Sequence, residues 1–233
     1  RLKGVGFRPI NNIVDISNYV MLATGQPLHA FDYDKIKDGL MRIRQAKPNE
    51  TIRLLDGESR QLPAGAVIIE DNEKIYDLAG IMGGKNSEVD DNTKTIVLQG
   101  AIFDSVHIRQ ASKKLNHTTD ASYRYERGVD IEGATIGVDI AVSLIKESCP
   151  EAQISDLIDI YPKQFSADEI PFKIDDINGL LGTAISSEQA KEYLERLEIE
   201  VRNNVAIPPS YRQDIKIWRD LAEEIARIEG YDK

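Results

Sequence analysis

The chain has little of what many functional sites are built from. Its single cysteine, Cys149, excludes an internal disulfide and a cysteine-built zinc site, and such cysteine usage fits a reducing, cytoplasmic setting. Three histidines, His29, His107 and His117, show no zinc-protease spacing, and no Gly-x-Ser-x-Gly elbow is present. The longest uninterrupted apolar run, Tyr19–Ala23, falls far short of the roughly 20 residues a membrane helix needs, so no membrane partner is expected. A cleavable apolar leader is also missing; the chain starts Arg-Leu-Lys without an initiator Met and reads as an excised piece. Positive charge is in deficit, with Lys+Arg 29 against Asp+Glu 39 and a net charge of −10. A protein that holds nucleic acid by bulk electrostatics is normally basic. RNA contact here must come from a local patch or be supplied by other chains.

What is present is an ordinary globular composition over 233 residues, 41% hydrophobic and 29% charged, enough for one large domain or two smaller ones. Ile10, Ile13, Ser17, Val20 and Thr24 have helical spacing, with Gly25 as a stop. Asp56-Gly57 and Asp71-Asn72-Glu73 each lie between strand-like runs and predict two hairpins. Thr95–Leu98 is a short β-rich run, and Asp104 can cap a helix through about Leu115. Gly133–Glu147 reads as a buried helix, apolar over more than one face. Pro162, Ser166 and Pro171 then break the periodicity and mark a domain boundary. Beyond it, Ser186 and Gln189 form a capping-box pattern that opens a helix with Ala190, Leu194 and Leu197 inward. Trp218, Leu221, Ile225 and Ile228 define a last amphipathic helix ending at Gly230.

Taken as residues alone, the candidate motifs stay open between function and structure. Ala79–Lys85 is glycine-rich but fails the phosphate-loop pattern, and a tight connection after a strand accounts for it equally. His29 sits in Gly25-Gln26-Pro27-Leu28-His29-Ala30-Phe31-Asp32, expected to be a loop after a helix, as a rigidly held functional imidazole or a structural one. Arg109, Lys113, Lys114, Arg124 and Arg127, with Tyr123 and Tyr125 between, suit phosphates and a stacked base, yet Asp104, Asp120, Glu126 and Asp130 dilute them into a mixed surface. Asp220, Glu223 and Glu224 project together from the last helix, and Asp214 lies in an extended segment upstream. Such an all-oxygen set suits a hard cation such as Mg²⁺; the alternative is a solvated acidic face.

The ordered combination is more specific. Arg8–Leu22 (RPINNIVDISNYVML) runs into Gly25–Asp32 (GQPLHAFD); Ala79–Gly84 reads AGIMGG; Thr119–Asp130 reads TDASYRYERGVD. These stretches closely resemble the central editing domain of the β subunit of bacterial phenylalanyl-tRNA synthetases. Pro209–Ile215 and Ala222–Ile228 resemble the small domain that follows it. The resemblance implies an α+β chain: a mixed editing domain with antiparallel hairpins and packed helices over 1–163, then a small α+β, helix-turn-helix-like domain over 164–233. It implies an α₂β₂ ligase that joins phenylalanine to tRNA(Phe) with ATP and Mg²⁺, its aminoacylation centre lying on the α subunit. This chain would carry instead the site that hydrolyses mischarged tyrosyl-tRNA(Phe).

An apolar pocket rejects an added hydroxyl only about 10²-fold, so a second pocket that hydrogen-bonds the phenol is the physical remedy. The resemblance places His29 beside the ester, with Ser17, Asn18 and Pro27 shaping the cleft. Gly80 and Gly83 would admit the amino acid, and Thr119 with Ala121 would line its side-chain pocket. Where the bacterial pattern commonly has a glutamate that accepts the phenol's hydrogen bond, this chain has Gln99, which keeps an acceptor oxygen and loses the charge. Asp214, Asp220, Glu223 and Glu224 match four carboxylate positions for a magnesium ion shared with the α subunit. The alternative implied by Gln99 is a non-catalytic tRNA-binding or subunit-interface scaffold.

Overall fold

A computed structural model describes residues 1–162 and 164–232. The chain divides into two compact units, Arg1–Ile158 and the residues from Asp159 onward. The 1–163/164–233 division expected from the sequence ends on Lys163, which lies outside the described residues.

The first unit opens with α1 (Asn12–Thr24), whose N-cap Asn11 accepts a hydrogen bond from the Val14 N–H and whose face of Ser17, Val20 and Met21 is buried. Strands follow: β1 (Leu28–Asp32), β2 (Arg42–Gln45), β3 (Thr51–Arg53), β4 (Ser59–Gln61), β5 (Val67–Glu70), β6 (Ile75–Leu78), β7 (Met82–Gly83) and β8 (Ile96–Gly100). All their pairings are antiparallel: β1 with β8, β3 with β4, and a sheet ordered β2-β5-β6-β7. Both predicted hairpins form. In the second, Asp71 Oδ1 accepts from the Glu73 and Lys74 N–H groups, a carboxylate closing its own turn. The core joins Ile52, Leu54, Ile68 and Leu78 from the strands to Ile108 and Tyr125 from helices.

Three helices complete the unit: α2 (Ser105–Leu115), α3 (Asp120–Tyr125) and α4 (Gly133–Ser148). Asp104 caps α2 as its sequence predicts, accepting from the His107 N–H. α4, read as a buried helix apolar over more than one face, forms as a helix but buries only one of those faces. It packs on α1 and β8 with Gly137, Ala141 and Ile145, while Ile136 stays 54% exposed, because only one side of this helix has neighbours.

The second unit contains β9 (Ile170–Pro171), α5 (Ile174–Leu181), α6 (Ser187–Glu195), β10 (Glu200–Arg202), β11 (Val205–Ile207) and α7 (Trp218–Glu229). Its antiparallel sheet is ordered β10-β11-β9. Ser186 caps α6 through the Gln189 N–H, which sets Ala190 and Leu194 inward against Leu221 and Ile225 of α7. Each such burial contributes about 1.5–3 kcal/mol for the large aliphatic side chains, enough to fix α7 by its apolar face. Among the described residues no helix is long and apolar enough to cross a membrane.

Candidate active site

One cleft of the first unit gathers residues from distant stretches: Pro27 and His29 at the start of β1, Gln99 on β8, Gly80 and Gly83 in and after the β6–β7 turn, and Ala121 on α3. His29 was expected in a loop; it lies within β1, directly opposite Gln99 in the antiparallel register. The strand continues through it because Ala30 and Phe31 are buried and β8 pairs along its whole length. The imidazole stands edge-on to the Phe31 ring, centroids 4.4 Å apart.

Two glycines make room. A Cβ at Gly83 would lie 2.5 Å from His29 Cε1 and 2.6 Å from Nε2, closer than any real contact. Gly80 has φ +71, and a Cβ there would lie 2.8 Å from Ile108 Cδ1. The glycine-rich stretch is thus a tight connection that lets an imidazole and an aromatic wall close in. Burial pushes the His29 pKa down to about 4, so the ring is neutral at physiological pH.

The remaining predicted residues, Thr119, Ser17 and Asn18, do not line the cleft. Thr119 Oγ1 caps α3 by accepting from the Ser122 N–H (3.1 Å) and donates to the Ile81 carbonyl (2.8 Å), tying α3 to the glycine turn. The Ser17 hydroxyl donates back to the Ile13 carbonyl within α1. Asn18 is half-buried on the same helix and, like Ser17, is absent from the cleft wall. Tyr125, interleaved in the basic stretch, is buried: its hydroxyl lies 3.2 Å from the Pro27 carbonyl and 3.0 Å from that of Ala101. Tyr123 carries the Arg127 guanidinium 3.5 Å over its ring, and Arg124 pairs with Asp120, so that stretch is a mixed surface.

Sequence reasoning passed over Asp77. It lines the same cleft from β6, is 4% exposed, and burial pushes its carboxyl well above the usual carboxylate range. The available signal was an aspartate inside the apolar run Ile75-Tyr76-Asp77-Leu78-Ala79. As it stands the cleft encloses about 60 Å³, room for a few waters, so an aromatic side chain enters only when the lining side chains part. A broader cleft of about 620 Å³ along β2, β3 and β5 holds none of the predicted residues, and its charges, Arg44 with Glu50 and Glu70, pair with one another.

In the second unit the four acidic residues do not face one point. Asp220 Oδ2 caps α7, accepting from the Lys216 N–H (2.7 Å) and the Ile217 N–H (2.9 Å). Arg212 donates to both oxygens of Asp214 (2.9 and 2.7 Å) and to Glu224 Oε1 (2.7 Å). Arg227 pairs with the other oxygen of Glu224, and Glu223 is exposed. The Arg212 guanidinium holds Asp214 below the usual carboxylate range; at Glu224 burial works upward, and the two arginines outweigh it. Among the described residues no three His, Cys, Asp or Glu side chains are disposed to hold a metal ion. So placed, the four do not fit magnesium, since arginine already occupies the space between two of them.

Both units contain stretches that match known domain families. Residues 1–150 match the B3/4 domain family and residues 170–231 the tRNA synthetase B5 domain, and the chain belongs to the B3/4 family with a B5 domain behind it. Relatives carry the same span. The chain is 44% identical over its whole length to the phenylalanine–tRNA ligase beta subunit of Clostridium acetobutylicum, and 41% and 40% identical to those of Carboxydothermus hydrogenoformans and Geobacter sulfurreducens. It spans about 30% of the length of these relatives. A crystal structure of an N-terminal fragment of the phenylalanyl-tRNA synthetase beta-subunit from Pyrococcus horikoshii is 17% identical, over 94% of this chain and 65% of that one, with a TM-score of 0.43, too loose a superposition to transfer a site.

Proposed function

We propose that this chain is part of a phenylalanine–tRNA ligase beta subunit and that its first unit hydrolyses tyrosine wrongly esterified to tRNA(Phe). The observation that carries the reading is the assembly of Pro27, His29, Gly80, Gly83, Gln99 and Ala121 around one cleft, although they come from four separate stretches of sequence. Membership of the B3/4 family and likeness to the beta subunits support it.

The chemistry follows from the residues. Ester hydrolysis needs no protein nucleophile, and on this reading that role falls to a water held in the cleft. A neutral His29 accepts a hydrogen bond from that water and orients it. The water oxygen attacks the ester carbonyl carbon, the bond from that carbon to the ribose oxygen breaks, and a proton passes to the ribose oxygen. Tyrosine and free tRNA result. Thr119 holds α3, and with it Ala121, against the glycine turn. ATP and Mg²⁺ belong to the joining reaction of the assembled α₂β₂ enzyme in the cytoplasm, and no step here runs through either. A tRNA-binding or subunit-interface scaffold without turnover is the competing reading, and the neutral amide of Gln99 favours it.

Preformed tyrosyl-tRNA(Phe), incubated with the assembled enzyme and with its His29→Ala variant, separates the two. We expect hydrolysis by the native enzyme and a loss of about 10²-fold or more in the variant. No hydrolysis alongside normal phenylalanine charging would favour the scaffold.

A further inference from the structure

Three aspartates of the first unit are deeply buried, Asp32 and Asp77 at 4% exposure and Asp71 at 2%. Two of them are fully engaged. Asp71 accepts from the backbone N–H groups of Lys37, Glu73 and Lys74. Asp32 accepts from the Thr93 hydroxyl and the Asp34 N–H and lies 3.3 Å from the Lys35 ammonium. Asp77 has no hydrogen bond or ion pair among the described residues. A nearly buried carboxyl that no protein group meets has only the few waters of the cleft to satisfy it, and an apolar residue at that strand position would be more stable. Its backbone faces Gly83 across the β6–β7 pair, the glycine against which His29 packs.

The surroundings narrow what can satisfy it. The cleft wall is mostly apolar, with Leu28, Ile81, Met82, Phe103 and Ala121, and its other polar side chains include the neutral Gln99. The matching ligand is an apolar or aromatic body that ends in a hydrogen-bond donor. Resting on the hydrolytic reading above, we propose that Asp77 is the specificity-determining residue of this cleft, its carboxyl accepting the hydrogen bond of the tyrosyl phenol. The burial that keeps the carboxyl far above its usual range fits a group held in reserve for a neutral hydroxyl rather than for a cation. Phenylalanine, lacking the hydroxyl, leaves Asp77 unsatisfied and is disfavoured by that alone.

The test measures hydrolysis of preformed tyrosyl-tRNA(Phe) and phenylalanyl-tRNA(Phe) by the assembled enzyme and by Asp77→Ala, Asp77→Asn and Asp77→Ala/Gln99→Glu variants. The expected result is a fall of about 10- to 100-fold in the tyrosyl-to-phenylalanyl rate ratio for Asp77→Ala. Asp77→Asn, which keeps an acceptor oxygen, should retain most of the ratio. The double variant, which puts a carboxyl at another position of the same lining, should recover part of it. Asp77→Ala should also melt higher than the native enzyme, which separates a lost contact from a lost fold. An unchanged ratio overturns the proposal, and so does an equal fall for both esters, which would assign Asp77 to the shared α-amino group. Native enzyme that hydrolyses neither ester overturns the hydrolytic reading itself, a result distinct from either of those.

Discussion

The two units use carboxylates in opposite ways. On α7 and the segment before it, Asp214, Asp220 and Glu224 are each engaged by the chain itself, with arginines on two and a helix start on the third. In the cleft of the first unit a single carboxyl, Asp77, is nearly buried and meets no protein donor among the described residues. Three carboxylates of the group that is conspicuous in the sequence have donors from the chain itself, and the inconspicuous one has none among the described residues. Counting carboxylates therefore locates charge, while asking which are left unsatisfied locates a binding need.

The largest effect that can break this contrast comes from filling the cleft. Ala121→Trp should abolish tyrosyl-tRNA hydrolysis, a loss of at least about 10²-fold, because the indole takes the space the side chain of the ester needs. Phenylalanine charging, which belongs to a different centre, serves as the control. Equal loss of both would assign Ala121 to folding or assembly. Next in size, Arg212→Ala should destabilise the second unit by about 2–3 kcal/mol, read by denaturant unfolding, since it leaves the nearly buried Glu224 with one cation and Asp214 with none. A change below about 0.5 kcal/mol would mean that water already satisfies both.

A pH series sharpens the cleft side of the contrast. His29 is held near 4 by burial, against about 6.5 unfolded, so between those values the unfolded chain binds the extra proton. Its contribution is complete above about pH 6.5 and is lost as pH falls toward 4, by roughly 3 kcal/mol. His29→Gln should flatten melting temperature over that window. Asp77 has the opposite sign: with its folded value raised, its destabilisation is absent below the ordinary carboxylate value and grows as pH rises above it.

What was legible in the sequence was local. Asp104 and Ser186 cap helices through their own neighbours, and Asp71 closes its own turn, so a short window holds the whole interaction. Placing His29 in a strand required β8, whose pairing residue Gln99 lies far along the chain, and no local pattern signals that partner. Ala121, Gly80, Gly83 and Pro27 were found through motif resemblance, and the geometry joins them in one cleft; Thr119 was found the same way but acts as a brace. Helical spacing correctly put Asp220, Glu223 and Glu224 along one helix, yet it could not reveal that Arg212, entering from a segment outside the helix, sits between Asp214 and Glu224. Asp77 was missed because strand patterning treats a lone aspartate in an apolar run as noise, whereas the fold places it in the cleft wall and nearly buries it.

The smallest expected effects lie on α7 and decide whether its acidic face is complete. Asp220→Ala removes a helix cap and should cost about 1 kcal/mol. Glu223→Gln, on an exposed side chain, should change stability by less than about 0.5 kcal/mol. Those values follow if arginine and backbone already satisfy the face. If a partner subunit instead completes a magnesium site there, the ion must displace Arg212 from Asp214 and Glu224, and added Mg²⁺ would raise the melting temperature of the assembled enzyme. Glu223→Gln would then abolish that rise. A flat response to Mg²⁺ in both native enzyme and variant is the outcome the ion pairs predict, because Asp214 and Glu224 are already held by Arg212 and an ion would have to displace that guanidinium before it could bind both.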